Sequence, residues 1–259
     1  MIQLLELLLI FYLGAIVGSF LNVLIYRVPR EKSIIKPRSY CPNCKHPIRF
    51  YDNMPIFSYL ILRGRCRHCR YHIPIRYPMV ELLSGLIWLF MIGFNNVQIT
   101  TFSSIILLEG LLVFAWIDGH YGFIPDKIII ILAFIGAFYN VLFDPGIFLS
   151  GVVGALISGS LMFLWAYIGE KIFRKPAIGG GDIKLIAVTG LFLGAKLTLL
   201  GLFLGFAVGG IFGLIKIYQK KLQLKATVAF APFLLIGVSL ALLVGELFLR
   251  WYSTFFRGN

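Results

Sequence analysis

The sequence predicts an all-α polytopic membrane protein with about eight transmembrane helices and a small polar insert between the first and second spans. Of its 259 residues, 59% are hydrophobic and only 14% are charged, and the mean hydropathy is +0.89. A soluble domain has about a quarter of its residues charged. The composition therefore excludes a soluble globular domain, a disordered chain and a secreted disulfide scaffold.

Eight apolar runs account for the predicted helices. A helical span needs about 20 predominantly apolar residues, and several of the runs are shorter than this. The run at residues 185–195 cannot span a bilayer alone, so it must borrow flanking residues, tilt or re-enter. The eight runs are residues 4–25, 80–94, 105–117, 128–143, 148–168, 185–195, 197–215 and 228–249.

The distribution of Lys and Arg orients these spans, because basic residues collect on the cytoplasmic side. With Met1 outside, 21 of the 24 basic residues fall inside. Merging residues 185–215 into one helix would put the basic cluster at residues 216–225 outside, so we predict eight spans with both termini external. The first run has no basic residue before it, and we interpret it as a retained span rather than a signal peptide. The net charge of +13 therefore reports topology, and we expect membrane lipids but no nucleic acid as partners.

The composition divides the chain into three parts. Residues 1–28 form the first transmembrane span, residues 29–77 form the polar insert, and residues 78–259 form a membrane-embedded bundle. No internal repeat is visible.

The insert contains all four cysteines, arranged as two Cys-x-x-Cys pairs with 21 residues between them. Four thiolates satisfy tetrahedral zinc and leave no open position for water, which indicates a structural site. The alternatives are reduced, unmetallated pairs or a redox dithiol; the predicted cytoplasmic location keeps thiols reduced and so disfavours disulfides. We expect the neighbouring His46, His68 and His72 to face solvent. The predicted zinc ligands are Cys41, Cys44, Cys66 and Cys69.

Two aspartates lie at the predicted cytoplasmic ends of spans. Asp118 closes an apolar run, and Asp182 follows three glycines in Gly179-Gly-Gly-Asp182. Two carboxyl groups within hydrogen-bond reach cannot both ionise, so they share a proton. Such a pair can activate water for attack on an amide and then protonate the leaving amine. We therefore predict that Asp118 and Asp182 form a catalytic pair.

Simpler roles for these acids remain open. Asp182 is a suitable N-cap for a helix beginning at Ile183, and Asp118 could be an ordinary residue at a helix end. Asp126, after Pro125, competes as a catalytic candidate.

Three glutamates complete the set of acids near spans. Glu109 and Glu246 lie within apolar runs, where an ionisable side chain is a candidate functional residue by default. Glu81 lies near the cytoplasmic start of a span, where we expect it to neutralise basic residues of the insert.

These residues, taken in order, resemble the bacterial type IV prepilin peptidases, which are bifunctional leader peptidases and N-methyltransferases with a G-x-G-D motif. The resemblance runs nearly end to end, and the tetracysteine insert makes the ordered set specific. The segments that carry it are Gly18-Ser-Phe-Leu-Asn-Val-Leu-Ile-Tyr-Arg27, Cys41-Pro-Asn-Cys44, Tyr51-Asp-Asn-Met-Pro55, Leu62-Arg-Gly-Arg-Cys66-Arg-His-Cys69, Ile75-Arg-Tyr-Pro-Met-Val-Glu81, and the Asp118 and Gly-Gly-Gly-Asp182 segments.

The resemblance implies an aspartic endopeptidase of the bacterial cytoplasmic membrane, with its insert and active site facing the cytoplasm. Its implied substrates are prepilins and pseudopilins, whose short basic leader is cleaved after Gly. Asp118 and Asp182 correspond by position to the family's catalytic aspartates. Many relatives carry a second acid two positions after the first aspartate, where this chain has His120.

The resemblance also links the insert to methylation of the new amino terminus, with S-adenosylmethionine as the methyl donor. No glycine-rich nucleotide fingerprint is present, so the sequence assigns no residues to that cofactor. Other functions stay open on the residues alone: a peptidase that has lost methylation, a transporter or channel whose Glu109 or Glu246 carries ions, and a zinc-stabilised scaffold.

Overall fold

The structure is a computed structural model, and it describes residues 2–93, 99–143, 145–174, 178–219 and 228–257. Over these residues the fold is helical, and extended pairing is limited to isolated bridges in the insert. Short helical turns occur at Val28–Arg30, Phe50–Asn53 and Leu89–Gly93. The α-helices are α1 Ile2–Arg27, α2 Phe57–Ile61, α3 Arg76–Trp88, α4 Ile99–Tyr121, α5 Asp126–Phe143, α6 Pro145–Phe173, α7 Gly180–Tyr218 and α8 Ala231–Arg257.

Six of these helical stretches are long and apolar enough to cross a membrane, judged by length and composition. Within the described residues, α8 adds a shorter apolar stretch, Ala231–Gly245. The predicted all-helical class is confirmed, and the four cysteines lie between the first two membrane-length stretches. Those six stretches are Gln3–Arg30, Arg76–Gly93, Thr100–Tyr121, Asp126–Phe143, Phe148–Ile172 and Gly180–Tyr218.

The predicted spans at residues 185–195 and 197–215 both fall within α7, which is 39 residues long. Gly194 interrupts this helix with φ 70° and ψ 178°, a conformation open to glycine because it has no Cβ. α7 is therefore two helical segments joined at Gly194, which lies two residues before Lys196, where the sequence separated the two runs.

The chain divides into two compact units, residues 1–105 and 106–259. In the first unit α1 packs against α3 through small residues. A Cβ on Gly14 would come within 2.8 Å of Ser84 O, and a Cβ on Gly18 would come within 2.8 Å of Glu81 Cα. The Ser84 hydroxyl also donates to Gly14 O at 2.6 Å. This Gly-x-x-x-Gly spacing lets the two backbones approach closely, as in membrane helix pairs.

The second unit uses the same kind of packing, with α7 lying against both α6 and α8. Gly154 on α6 faces Gly190 on α7, where a Cβ on either glycine would meet backbone atoms at 2.6 Å. Gly237 on α8 lies against the backbone of Gly201 and Gly205. Larger side chains at these crossings would separate the helices that carry the residues described below.

Candidate active site and metal centre

The four cysteine sulfurs form one cluster, with all Sγ atoms within 4.8 Å of one another. Cys41 Sγ and Cys69 Sγ, from different Cys-x-x-Cys pairs, are 3.7 Å apart. Tetrahedral zinc with Zn–S bonds of about 2.3 Å separates its sulfurs by about 3.8 Å. The donor set and its spacing therefore fit a four-thiolate metal ion, and the cluster could hold zinc.

The two pairs lie in turns of the same geometry, 25 residues apart in sequence. The N–H of Lys45 donates to Cys41 O at 2.9 Å, and the N–H of Arg70 donates to Cys66 O at 3.0 Å. Lys45 and Arg70 both have positive φ, 58° and 60°.

The backbone around each turn repeats as well. Cys41 N–H donates to His46 O at 3.0 Å, and Cys66 N–H donates to Tyr71 O at 2.8 Å. The bridges Tyr40–Pro47 and Arg65–His72 are equivalent by the same offset. The insert thus contains a structural repeat, contrary to the absence of repeats inferred from sequence. Outside the cysteines few side chains match, so only the backbone reveals it.

Hydrogen bonds give two of the four thiols, Cys69 and Cys44, different pKa values. The N–H of Tyr71 and the Asn43 amide donate to Cys69 and, with its thiol neighbours, lower the pKa of Cys69 to about 6. At Cys44 a backbone hydrogen bond from His46 lowers the pKa, but burial and hydrogen bonds with the other three thiols raise it to about 11.

The histidines near the cluster are exposed, and none belongs to the group of residues that could hold the ion. His46 and His68 stack on each other with ring centroids 4.4 Å apart. The stack joins the two turns from outside the thiol cluster.

Asp118 lies at the end of α4, and its side chain is buried, with 8% of the residue exposed. Its Oδ2 accepts a hydrogen bond from the N–H of Ala231, the first residue of α8, at 3.1 Å. A carboxylate at a helix N-terminus binds a backbone donor that the helix itself leaves free. Asp118 is therefore oriented by α8, a contact between residues 113 positions apart.

Asp182 lies in the first turn of α7, which begins at Gly180 rather than at Ile183. Gly179 is the N-cap residue, and Asp182 N–H donates to Gly179 O at 3.0 Å. The Asp182 carboxylate in turn accepts the backbone N–H of Gly179, as the third helical residue does in a capping box. The N-cap interpretation of Asp182 is therefore wrong. Its Oδ1 is buried and has no hydrogen-bond partner among the described residues.

The two aspartates both lie in the second unit. Asp118 and Asp182 are close enough to interact electrostatically, although 64 positions separate them in sequence. Asp118 uses Oδ2 for Ala231, whereas Asp182 keeps a buried oxygen without a partner. Carboxyl groups that interact electrostatically influence each other's protonation.

Asp126 is held differently from these two acids. It begins α5, and its carboxylate forms an exposed ion pair with Lys184 at 2.8 Å. Nearby, Ile124 lies against Gly181, where a Cβ would come within 2.9 Å of Ile124 Cβ. The segment after α4 therefore lies beside the turn that carries Asp182, where the exposed ion pair contributes little.

The remaining acids have separate surroundings. Glu81 Oε2 accepts the N–H of Ile56 at 2.7 Å, and the Ser19 hydroxyl also bonds this carboxylate. Glu81 therefore holds backbone and hydroxyl groups of the first unit rather than the basic side chains expected from sequence. Glu109 is buried within α4, and Glu246 lies outside the residues whose side chains the structure describes.

The first unit also contains three buried polar atoms without partners among the described residues: Asn22 Oδ1, Arg76 Nε and Trp88 Nε1. Asn22 and Arg76 lie in the same region of this unit, since the Asn22 amide donates to O of Tyr77, the residue after Arg76, at 3.0 Å. They offer one hydrogen-bond acceptor and one donor to a polar ligand of this unit.

Comparison with known proteins identifies the family. A model described as "Bacterial Peptidase A24 N-terminal domain" matches residues 12–94, and one described as "Type IV leader peptidase family" matches residues 105–214. A prepilin leader peptidase/N-methyltransferase of Burkholderia pseudomallei is 32% identical over 91% of this chain and 84% of its own length. The chain belongs to the type IV leader peptidase family. This confirms the predicted resemblance and the predicted enzyme class.

Other relatives agree. A protein of the same name from Neisseria gonorrhoeae is 33% identical over 87% of this chain and 86% of its own length. One from Myxococcus xanthus is 38% identical over 71% of this chain, and the chain spans 55% of that relative. No solved structure matches the chain.

Proposed function

We propose that this protein cleaves the basic leader of type IV prepilins and pseudopilins after Gly, at the cytoplasmic face of the bacterial inner membrane. We also propose that it N-methylates the new amino terminus. Membership of the type IV leader peptidase family supports cleavage, and the relatives' names combine both activities. The observation that carries the cleavage proposal is the electrostatic interaction of Asp118 with Asp182 in buried surroundings.

In this mechanism the two carboxyl groups share one proton. The ionised group takes a proton from water while the water oxygen attacks the scissile carbonyl carbon. The protonated group donates a hydrogen bond to the carbonyl oxygen and then helps protonate the departing amine as the C–N bond breaks. Water is consumed, and the pair again holds one proton, because the proton taken from water replaces the one given to the amine.

The surroundings of the pair suit an extended peptide. Gly179 and Gly180 are exposed, and a Cβ on Gly180 would meet no atom within 4 Å. A substrate backbone could therefore approach the first turn of α7 closely. The apolar helix that follows a prepilin leader would lie in the bilayer and keep the scissile bond near this turn.

The insert would support this enzyme through zinc held by Cys41, Cys44, Cys66 and Cys69. A closed four-thiolate site is structural, and the ion would join the two turns and contribute folding free energy to a segment with a small core. S-adenosylmethionine would supply the methyl group, because the relatives are N-methyltransferases. The free acceptor on Asn22 and donor on Arg76 suit the ammonium and carboxylate of such a ligand.

Cleavage of a model prepilin by the reconstituted full-length protein tests the proposal. Asp118→Asn and Asp182→Asn should each lower the cleavage rate on the order of 10⁴-fold, as loss of one member of a catalytic unit does. Asp126→Asn is the matched control and should keep most of the activity, because its ion pair with Lys184 is exposed. Full activity in either of the first two variants would refute the pair.

Mass spectrometry of the cleaved product tests methylation separately. A product with one methyl group on its new amino terminus supports the bifunctional enzyme. A cleaved but unmethylated product, with S-adenosylmethionine supplied, would indicate a peptidase without methyltransferase activity.

A further inference from the structure

The insert contains a segment that is unlike the rest of it. Residues 53–62, Asn-Met-Pro-Ile-Phe-Ser-Tyr-Leu-Ile-Leu, carry no charge, although residues 27–76 contain twelve Lys and Arg. The short helix α2 lies inside this segment. Its large apolar side chains are not covered by the rest of the protein: Phe57 is 53%, Leu60 65% and Ile61 73% exposed. These values match those of the apolar face of α1, where Leu4 is 62% exposed.

Contacts fix the depth of this segment along α1. The N–H of Ile56 bonds Glu81, and Glu81 is also bonded by Ser19 of α1. The Phe57 ring lies 6.1 Å from the Tyr12 ring, centroid to centroid. At a rise of 1.5 Å per residue, Ser19 and Tyr12 lie about 12 Å and about 22 Å from the Arg27 end of α1.

That depth falls within the apolar part of α1. The run at residues 4–25 is 22 residues long, enough to fill a hydrocarbon core about 30 Å thick. The middle of the run is near residue 15, so the level of Ser19 is within about 8 Å of the middle. Ile56 and Phe57 therefore lie beside α1 at levels within its apolar run.

We propose that residues 53–62 form a re-entrant membrane anchor, which inserts into the leaflet on the Arg27 side of α1 and exposes α2 to lipid acyl chains. The insert would then be partly embedded rather than wholly aqueous.

The backbone donors of the segment have the internal partners that a lipid environment requires. In hydrocarbon every backbone donor needs an internal partner. Met54 N–H donates to Ser58 Oγ at 3.0 Å, and Ile56 N–H donates to buried Glu81. Phe57 N–H and Ser58 N–H donate to Pro55 O and Met54 O. Each donor from Met54 to Ser58 is thus bonded, including the one that a short helix would otherwise leave free.

Charges on both sides of the segment favour lipid as its partner. Arg49 and Asp52 precede the segment, and Arg63 and Arg65 follow it. Long basic side chains next to an embedded segment extend to the headgroup level. The remaining basic residues of the insert would face anionic headgroups, which attract such clusters.

Spin labelling of the full-length, zinc-loaded protein in phosphatidylcholine and phosphatidylglycerol vesicles tests this proposal. A nitroxide is attached at Leu60→Cys, with Ile35→Cys as the matched control, because Ile35 is an exposed apolar residue of the insert outside the segment. The unmodified protein, carried through the same labelling, gives the background from its own cysteines.

The expected result is that oxygen, which partitions into lipid, relaxes the Leu60 label strongly, whereas a water-soluble nickel chelate does not. The Ile35 label should show the reverse. Nickel access at Leu60 equal to that at Ile35 would overturn the proposal. Poor access of both reagents at Leu60 would overturn it too, because a protein surface rather than lipid would then cover α2. This measurement is independent of proteolysis and methylation.

Discussion

The carboxylate of Asp118 accepts a hydrogen bond from the backbone N–H of Ala231 at 3.1 Å. A proposed catalytic acid thus also binds the first residue of α8. The two roles can be separated, because an amide oxygen can replace a carboxylate as a hydrogen-bond acceptor but cannot exchange a proton in the same way.

Replacing Asp118 by Asn and by Ala therefore separates catalysis from stability. Both variants should lose cleavage. Asp118→Asn should unfold at nearly the same denaturant concentration as the unmodified protein, whereas Asp118→Ala should lose about 1 kcal/mol of stability, as removal of a capping side chain does. Unfolding in mixed detergent micelles measures the difference. Equal stability of the two variants would show that the contact with Ala231 contributes nothing.

The glycines before Asp182 give a steric test. Gly181→Ala would place a Cβ within 2.9 Å of Ile124 Cβ, so the turn carrying Asp182 must shift. A displacement of about 1 Å can lower the rate of catalysis about 100-fold, and we expect cleavage to fall by roughly 10- to 100-fold.

Gly180→Ala is the matched control, because its Cβ would meet no atom within 4 Å. It should keep most of the cleavage activity. Equal losses of activity in both variants would indicate that a Cβ in this turn blocks the approach of the substrate, rather than displacing the turn through contact with Ile124.

The metal cluster predicts a sharp difference between cysteine and histidine variants. Cys41→Ser should reduce bound zinc from about one equivalent to a small fraction, because a three-thiolate site binds less tightly. His46→Ala should leave the zinc content unchanged, because His46 is exposed and stacks on His68 outside the thiols. Elemental analysis of the purified proteins measures this. Loss of zinc from the His46→Ala variant would indicate that His46 is a zinc ligand.

After zinc removal the cysteines should differ in reactivity. The pKa of Cys69 is lowered to about 6, so at pH 7 it is mostly thiolate, the reactive form. The pKa of Cys44 is raised to about 11, so Cys44 stays protonated. Alkylation with iodoacetamide followed by peptide mapping should label Cys69 first, and its rate should fall as the pH drops below 6. Faster labelling of Cys44 at pH 7 would contradict these hydrogen bonds.

The contact between Glu81 and Ile56 predicts a pair of variants in the first unit. Glu81→Gln keeps an oxygen acceptor for Ile56 N–H, whereas Glu81→Ala leaves that donor unpaired at a cost of about 1–3 kcal/mol. Glu81→Ala should therefore increase protease cleavage within residues 53–62 of the vesicle-bound protein, and Glu81→Gln should not. Identical digestion patterns would mean that this hydrogen bond does not hold the segment.

Much of the candidate site follows from short stretches of sequence. The spacing of Cys41, Cys44, Cys66 and Cys69 predicted a four-thiol cluster, because two residues between cysteines suit one turn. The predicted pairing of Asp118 with Asp182 is supported by their electrostatic interaction, and their catalytic role stays a prediction.

Other features had no signal in the sequence. The hydrogen bond from Ala231 to Asp118 and the ion pair of Asp126 with Lys184 join residues far apart along the chain. Ala231 contributes only its backbone, so its residue type gave no indication of the contact. The sequence predicted basic side chains as partners of Glu81, because that prediction considered only charge. In the structure Glu81 is buried beside Ser19 and accepts a backbone N–H instead.

The sequence by itself determined that this chain is a helical membrane protein of the leader peptidase type with a four-cysteine insert. Composition and local spacing settle the helical membrane class and the four-cysteine insert, whereas the leader peptidase type rested on the resemblance of its ordered motifs to that family. Only the tertiary structure decided that Asp118 and Asp182 interact, which Asp182 oxygen is buried without a partner, and where Ile56 and Phe57 lie along α1. Those outcomes depend on how closely helices approach at small residues such as Gly14 and Gly18, and that packing is a property of several segments together.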